Sequence, residues 1–462
     1  MRSVLFIAYY YPPIASSGVY RSAKFVKYLP QFGWQPYVVS TTEDIGVGGF
    51  DASLLDDIPP DTPVWRLPTP QPRPYAALAR LLRRSQAEGS AAQRESNPVS
   101  GQCSIPSQTN TAHPGRDSGL NSVLKTLARP LRFIQNPPVD PQWYWSLRLI
   151  PLACRVMRRH DVAAIYTSSA PWSALLSALV LKRLTGRPWI MDMRDPWTSD
   201  ECLYRSRGLR REIDLRLERA ALRAADRIVV TSPAFVDELQ EVSEDCVASK
   251  VTVITNGYDE EDFSPESGAD LLPSDRRTIA HMGTLIWERA QPLLAALSEL
   301  ASDRDVLDKF RVISHGWTDP RIAARAANQL ATGCFVTRPM IGHDRALAIM
   351  KEADVLLLLL GAQEHWSRFY TGKVFEYLRA GKPVLGVGPW GVASKLIERC
   401  GVGCFVPAHD AERLATVLRQ IALDYRSFVD EHYHPEPEII AQYDRRVLTE
   451  RLASVLDSEA AK

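Results

Sequence analysis

Phe369-Tyr370-Thr371-Gly372-Lys373-Val374-Phe375-Glu376-Tyr377-Leu378-Arg379-Ala380-Gly381-Lys382-Pro383-Val384-Leu385-Gly386 is the stretch on which the fold of this chain turns. A Thr-Gly loop opens an amphipathic helix, Gly381 closes it, and Pro383-Val384-Leu385 starts a strand. The free N–H groups and positive dipole end of such a helix make an anion site. Lys373 adds a point charge there, and Glu376, one turn on, can accept two hydrogen bonds from a diol. Phosphate and ribose together suggest a nucleotide. The bland alternative is that Lys373 and Glu376 simply pair with each other along the helix. An exposed pair of that kind is worth about 0.3–0.5 kcal/mol. A charge-assisted bond to a diol is worth about 1.5–3 kcal/mol, so the ligand role wins wherever the site is shielded.

The same strand–helix rhythm runs outward from this stretch in both directions. Residues 4–8 read as a buried strand, 20–32 as a helix and 36–41 as the next strand, a βαβ unit of a parallel sheet. Strands at 163–167, 189–192, 227–231 and 251–255 continue the series, with helices at 173–184 and 212–224 between them. A second series starts at residue 278. The expected fold is α/β, with two Rossmann-like doubly wound parallel-sheet domains. Residues 1–259 form the first domain and 278–440 the second, with an acidic, Pro-containing linker at 260–277. Residues 441–462 read as a terminal helix that can pack back on the first domain. From about 84 to 122 Ser, Gln, Asn, Gly and Pro dominate, so a disordered insertion is expected there. Residues 123–133 are basic and apolar, which suits a short packed helix or a membrane-surface contact.

Composition excludes several classes. A chain of 462 residues with 45% hydrophobic and 24% charged residues fits a globular protein of two or three domains. Its net charge of +1 gives no global attraction to nucleic acid. The 7 cysteines lie scattered with no CxxC pair, which suits reduced thiols and a cytoplasmic setting. The apolar run near the N-terminus is too short for a signal peptide and ends in Tyr9-Tyr10-Tyr11-Pro12-Pro13 without a small-residue cleavage site. Leu356 to Leu360 falls far short of the roughly 20 residues of a membrane span.

Ligands of open α/β sheets sit at the carboxyl ends of strands, and every suggestive loop here falls at one. Ser16-Ser17-Gly18 before Arg21 follows the first strand, where a phosphate or sugar could approach the backbone; an ordinary loop with a Ser helix cap is the equal alternative. It is not GxGxxG, which disfavours a nicotinamide cofactor. Asp192-Met193-Arg194-Asp195 ends another strand, and its charges suggest a site rather than only an Asp–Arg brace. Gly283-Thr284-Leu285-Ile286-Trp287-Glu288-Arg289 follows the first strand of the second domain, and a cation at a helix start makes sense beside an anionic ligand. The 9 histidines form no metal-ligand pattern, so no metal is expected. His315 is the best exception to a structural reading of these histidines.

Taken together these residues resemble glycosyltransferase family 4, with the GT-B fold, over nearly the whole chain except the loop at 84–122. Tyr10-Tyr11-Pro12-Pro13 with Gly18 and Arg21, Arg194-Asp195-Pro196-Trp197, Asn256-Gly257-Tyr258-Asp259, Gly283 to Arg289 and Lys373-Val374-Phe375-Glu376-Tyr377-Leu378 match family landmarks in order and spacing. The resemblance implies transfer of a sugar from a nucleotide-diphosphate donor to a glycan or lipid-linked acceptor, with retention at the anomeric carbon. Its two domains would face a cleft. The nucleotide sugar is then a co-substrate, and no cofactor or metal is implied. The resemblance makes Gly283, Thr284, Arg289, Thr371, Gly372, Lys373 and Glu376 the donor side. It makes Ser17, Gly18 and Arg21 the acceptor-side or phosphate loop, and Arg194, Asp195, Arg289 and Lys373 the catalytic candidates. It also implies surface-polysaccharide or glycoconjugate synthesis in the cytoplasm, with a peripheral contact at the inner membrane face.

Three positions depart from the family pattern. Arg368 stands where the first Glu of the Glu-x7-Glu pair belongs, Thr284 replaces an Arg, and Arg194 replaces a His. These departures leave two alternatives: a noncatalytic nucleotide- or carbohydrate-binding protein on the same fold, and a sugar-nucleotide epimerase.

Overall fold

The computed structural model describes residues 1–16, 18–42, 49–69, 139–199, 207–243, 247–263, 271–329 and 333–462. Ser17, the expected insertion at 84–122 and residues 123–133 lie outside the described residues. The chain divides into two compact units. One comprises Met1–Val229, Leu239–Thr252 and Ala453–Lys462, and the other Val230–Glu238 and Val253–Leu452. The described part of the expected linker at 260–277 therefore groups with the second unit.

The first unit is built on a seven-stranded sheet. Its strands are β1 (Arg2–Ala8), β2 (Trp34–Thr41), β3 (Val64–Leu67), β4 (Ala164–Ser169), β5 (Trp189–Met193), β6 (Arg227–Val230) and β7 (Val251–Val253). They lie in the order β3-β2-β1-β4-β5-β6-β7, and the registered pairs around β1 are parallel. The order reverses between β1 and β4, which is the switch point where such sheets take ligands. Val4 to Ile7 are fully buried, as a strand covered on both faces requires. Helix Val19–Tyr28 follows β1, and its last turn tightens into the 3₁₀ segment Leu29–Phe32, where Pro30 cannot donate a helical bond. The terminal helix Arg445–Ala460 joins this unit from Ala453 onward. There Asp457 accepts from Trp34 Nε1 at 3.1 Å, and Glu459 pairs with Arg227 at 3.3 Å.

The second unit has a six-stranded, fully parallel sheet. It comprises β8 (Arg277–Met282), β9 (Phe310–His315), β10 (Phe335–Arg338), β11 (Val355–Leu359), β12 (Val384–Gly388) and β13 (Gly403–Pro407). The order is β10-β9-β8-β11-β12-β13, the Rossmann arrangement, with its switch point between β8 and β11. Alternate residues of β11 feed two cores: Val355, Leu357 and Leu359 pack on one face, Leu356 and Leu358 on the other. That two-sided burial explains the unbroken leucine run. The helix of the decisive stretch spans Gly372–Arg379 and buries Val374, Phe375, Tyr377 and Leu378. Gly381, at φ +73°, takes the left-handed conformation that ends it.

Candidate functional site

In the second unit, the loops after β8, β9 and β11 and the start of the Gly372 helix meet at the switch point. Gly283 follows β8 with φ +101° and donates its N–H to His315 O at 2.6 Å. A Cβ on Gly283 would stand 2.7 Å from Lys373 Cε and 2.8 Å from Nζ, so the lysine chain lies against the glycine backbone. Gly316, after β9, approaches just as closely: a Cβ there would fall 2.3 Å from Gly283 O. Tyr377 fixes the helix to the strand end by accepting the Met282 N–H at 3.0 Å. Because the buried side of the helix is committed to packing, Lys373 and Glu376 are left on its open side.

The electrostatics of this cluster are those of an anion site. Burial pushes the Lys373 pKa down to about 8, with the Arg289 charge adding to the fall and Glu376 partly offsetting it. Arg289 sits in the first turn of helix Trp287–Glu299, its guanidinium 4.3 Å over the Trp366 ring. Burial lowers its proton affinity, and its buried Nε has no hydrogen-bond acceptor among the described residues. Neither cation pairs with a carboxylate among the described residues. His281, 2% exposed at the end of β8, shares a hydrogen bond with Ser314 Oγ at 3.0 Å. Burial, Lys373 and Arg289 hold its pKa well below the ordinary imidazole value, so it stays neutral. Thr371 precedes the helix without capping it, and its buried Oγ1 is unpartnered among the described residues. Of the first N–H groups of the helix, that of Val374 bonds Thr371 O at 3.2 Å, while those of Gly372 and Lys373 precede any intrahelical acceptor. The bland pairing of Lys373 with Glu376 does not form; Glu376 Oε1 instead lies 3.0 Å from His343 Nε2, with both side chains about a quarter exposed. Thr284 is exposed on the loop.

The first unit tells a different story at its own switch point. Arg21 is 1% exposed and makes a two-pronged ion pair with buried Asp192, at 2.9 and 2.8 Å. Tyr166 donates to the same carboxylate at 2.6 Å, and the Arg21 guanidinium stacks 4.8 Å over Phe25. Arg21, expected to face a phosphate, is thus a core ion pair: burial next to a fixed anion leaves it nothing to offer a ligand. At Gly18 a Cβ would fall 1.6 Å from Arg194 Nη1, so the Arg194 guanidinium lies against the backbone of this glycine. Arg194 pairs with Asp195 at 3.0 Å, and Asp195 remains 42% exposed. Ser22, Ser168 and Tyr10 line the narrow crevice beside Arg194.

Arg368, at the position of the missing glutamate, pairs with Glu238 at 3.2 Å, and its backbone carbonyl accepts from Ser232 Oγ at 2.7 Å. Sequence reasoning missed Trp366 and set both His281 and His343 aside as structural or solvent histidines. Trp366 carries no sequence signal; it becomes visible once Arg289 is found stacked on it.

Residues 109–257 match the family model of the glycosyl transferase 4-like domain. A sequence search of curated proteins returns no match. Among solved structures, sucrose-phosphate synthase from Thermosynechococcus elongatus superposes with TM-score 0.63 at 15% identity, covering 100% of both chains. The trehalose-6-phosphate synthase OtsA gives 0.62 at 12% identity, covering 99% of each. WaaG, a glycosyltransferase involved in lipopolysaccharide biosynthesis, gives 0.57 at 13% identity, covering 98% of this chain and 99% of its own. The chain therefore has the GT-B fold, and its residues 109–257 are similar to the glycosyl transferase 4-like domain, in line with the resemblance carried by the motifs.

Proposed function

We propose that this chain transfers a sugar from a nucleotide-diphosphate donor to a glycan or lipid-linked acceptor, with retention. The single observation that carries the reading is the Arg289–Lys373 pair: two shielded cations without a carboxylate partner among the described residues, beside the open N-terminus of the Gly372 helix. Like charges held together are costly unless an anion joins them, and a diphosphate supplies that anion. As the sugar–phosphate bond breaks, negative charge grows on the departing diphosphate, where preorganised cations stabilise it most. Glu376 takes the ribose hydroxyls. Because Arg289 and Lys373 neutralise the leaving group, no divalent ion is needed, and transfer should survive EDTA. Retention follows a front-face path that uses no protein nucleophile; the anomeric configuration of the product, read by NMR, tests it. Arg194 and Asp195 serve the acceptor side. The setting is the cytoplasm, in surface-glycan or glycoconjugate synthesis; among the described residues no helix is long and apolar enough to cross a membrane.

The test is thermal unfolding with UDP, GDP and ADP. One of them raises the melting temperature of the wild type, and that of Glu376→Ala by less. No shift with any of the three rejects the nucleotide site. Screening nucleotide sugars for donor hydrolysis, with mass detection, then identifies the donor.

One observation favours a second reading, a noncatalytic binding protein. Arg368 is held by Glu238 where the family has a carboxylate. Nucleotide binding without turnover of any donor would select that reading.

A further inference from the structure

We infer that His343 is a positioning residue for the ribose: it holds the Glu376 carboxylate in the orientation that accepts the diol. The inference rests on the nucleotide reading above and adds a residue that no motif of the chain marks. His343 is the first residue of helix His343–Glu352, which follows Gly342 and is anchored by buried Leu347, Ala348, Ile349 and Met350. Its Nε2 lies 3.0 Å from Glu376 Oε1. An ionised carboxylate only accepts, so Nε2 carries the proton and His343 donates. One donated bond uses one of roughly four acceptor positions of the carboxylate, which leaves Oε2 and the second lone pair of Oε1 for two hydroxyls. A free glutamate side chain would lose rotamer entropy on meeting a ligand. A donor fixed on a second, well-packed helix removes that freedom beforehand, and preorganisation of this kind appears as affinity. The geometry also separates two duties on one helix. Lys373 is set by the Gly283 backbone and serves the phosphates, whereas Glu376 is set by His343 and serves the sugar ring of the nucleotide.

The test is calorimetric titration of the full chain with whichever of UDP, GDP or ADP binds, and with its 2′-deoxy counterpart. Wild type should prefer the ribonucleotide by roughly tenfold, the value of one hydrogen bond to a charged group. His343→Ala should weaken the ribonucleotide about fivefold and leave the 2′-deoxynucleotide unchanged, so that the preference shrinks. His343→Gln, which keeps a side-chain N–H, should restore most of the preference and covers the case in which the alanine variant fails to fold. An equal loss for both nucleotides, or an unchanged preference in both variants, overturns the role of His343 while leaving the nucleotide site standing. Failure of wild type to bind any of the three nucleotides instead rejects the site itself.

Discussion

Each unit places an arginine a few residues past a glycine at the switch point of its sheet, and the two arginines end in opposite circumstances. Arg21, after Gly18, is buried in a bidentate pair with Asp192 that Tyr166 completes. Arg289, after Gly283, is stacked on Trp366 and shares its surroundings with Lys373, with no carboxylate partner among the described residues. Both cations follow a central strand of a parallel sheet, although Gly18 is in the right-handed helical region and Gly283 has φ +101°. What differs is the counter-charge: Asp192, near the end of β5 and two strands from β1, meets Arg21, whereas no carboxylate among the described residues pairs with Arg289. A cation paired with a buried carboxylate braces the fold; one without such a partner among the described residues is what the proposed anion site rests on.

The largest expected effect breaks the first half of this contrast. Arg21→Ala strands the Asp192 charge in the core and should cost about 3–5 kcal/mol of stability, read from urea midpoints. A variant as stable as wild type would mean that the pair is idle. Lys373→Met attacks the other half. It should cost up to about 3 kcal/mol of nucleoside-diphosphate binding, while the ligand-free protein stays as stable as wild type or gains stability. Glu376→Ala should cost about 1.5 kcal/mol in the same titration, close to tenfold in Kd.

The same lysine sets a pH dependence. The folded Lys373 has a pKa near 8, below the roughly 10.4 of an unfolded lysine. Between those values the unfolded chain binds the extra proton, so this residue makes ligand-free stability rise with pH across that window. Below pH 8 the strain of the charged form is fully present. Nucleotide affinity runs the other way and should fall as pH climbs past 8, because the anion binds the charged form. Lys373→Met should remove both slopes; slopes that persist in the variant would assign the titration to another group. The smallest effect belongs to Arg368→Ala. Arg368 is 54% exposed, so breaking its pair with Glu238 should change stability by no more than about 1 kcal/mol.

Much of this architecture can be read from the chain because burial writes itself into local pattern. The leucines of β11 and the alternating face of the Gly372 helix announce a strand and a helix before any contact is known. Gly283, Arg289, Lys373 and Glu376 could be named because their loops punctuate that pattern. Pairing across long sequence separations could not. Arg21 and Asp192 stand 171 residues apart, and nothing near Arg21 reveals that a carboxylate awaits it. Gly18 was legible as a close approach but not as an approach by Arg194. His343 and Glu376 lie 33 residues apart on different helices, and their meeting depends on how those helices dock.

The central claim is that Arg289 and Lys373, which pair with no carboxylate among the described residues, form a nucleoside-diphosphate site. Calorimetric titration of UDP, GDP and ADP into wild type and into an Arg289→Met, Lys373→Met double variant tests it most directly. The expected result is saturable binding of one nucleotide to wild type, none to the double variant, and an unfolding midpoint in the variant no lower than in wild type. Equal binding by both proteins would contradict the claim, because the nucleotide would then be held without the cations.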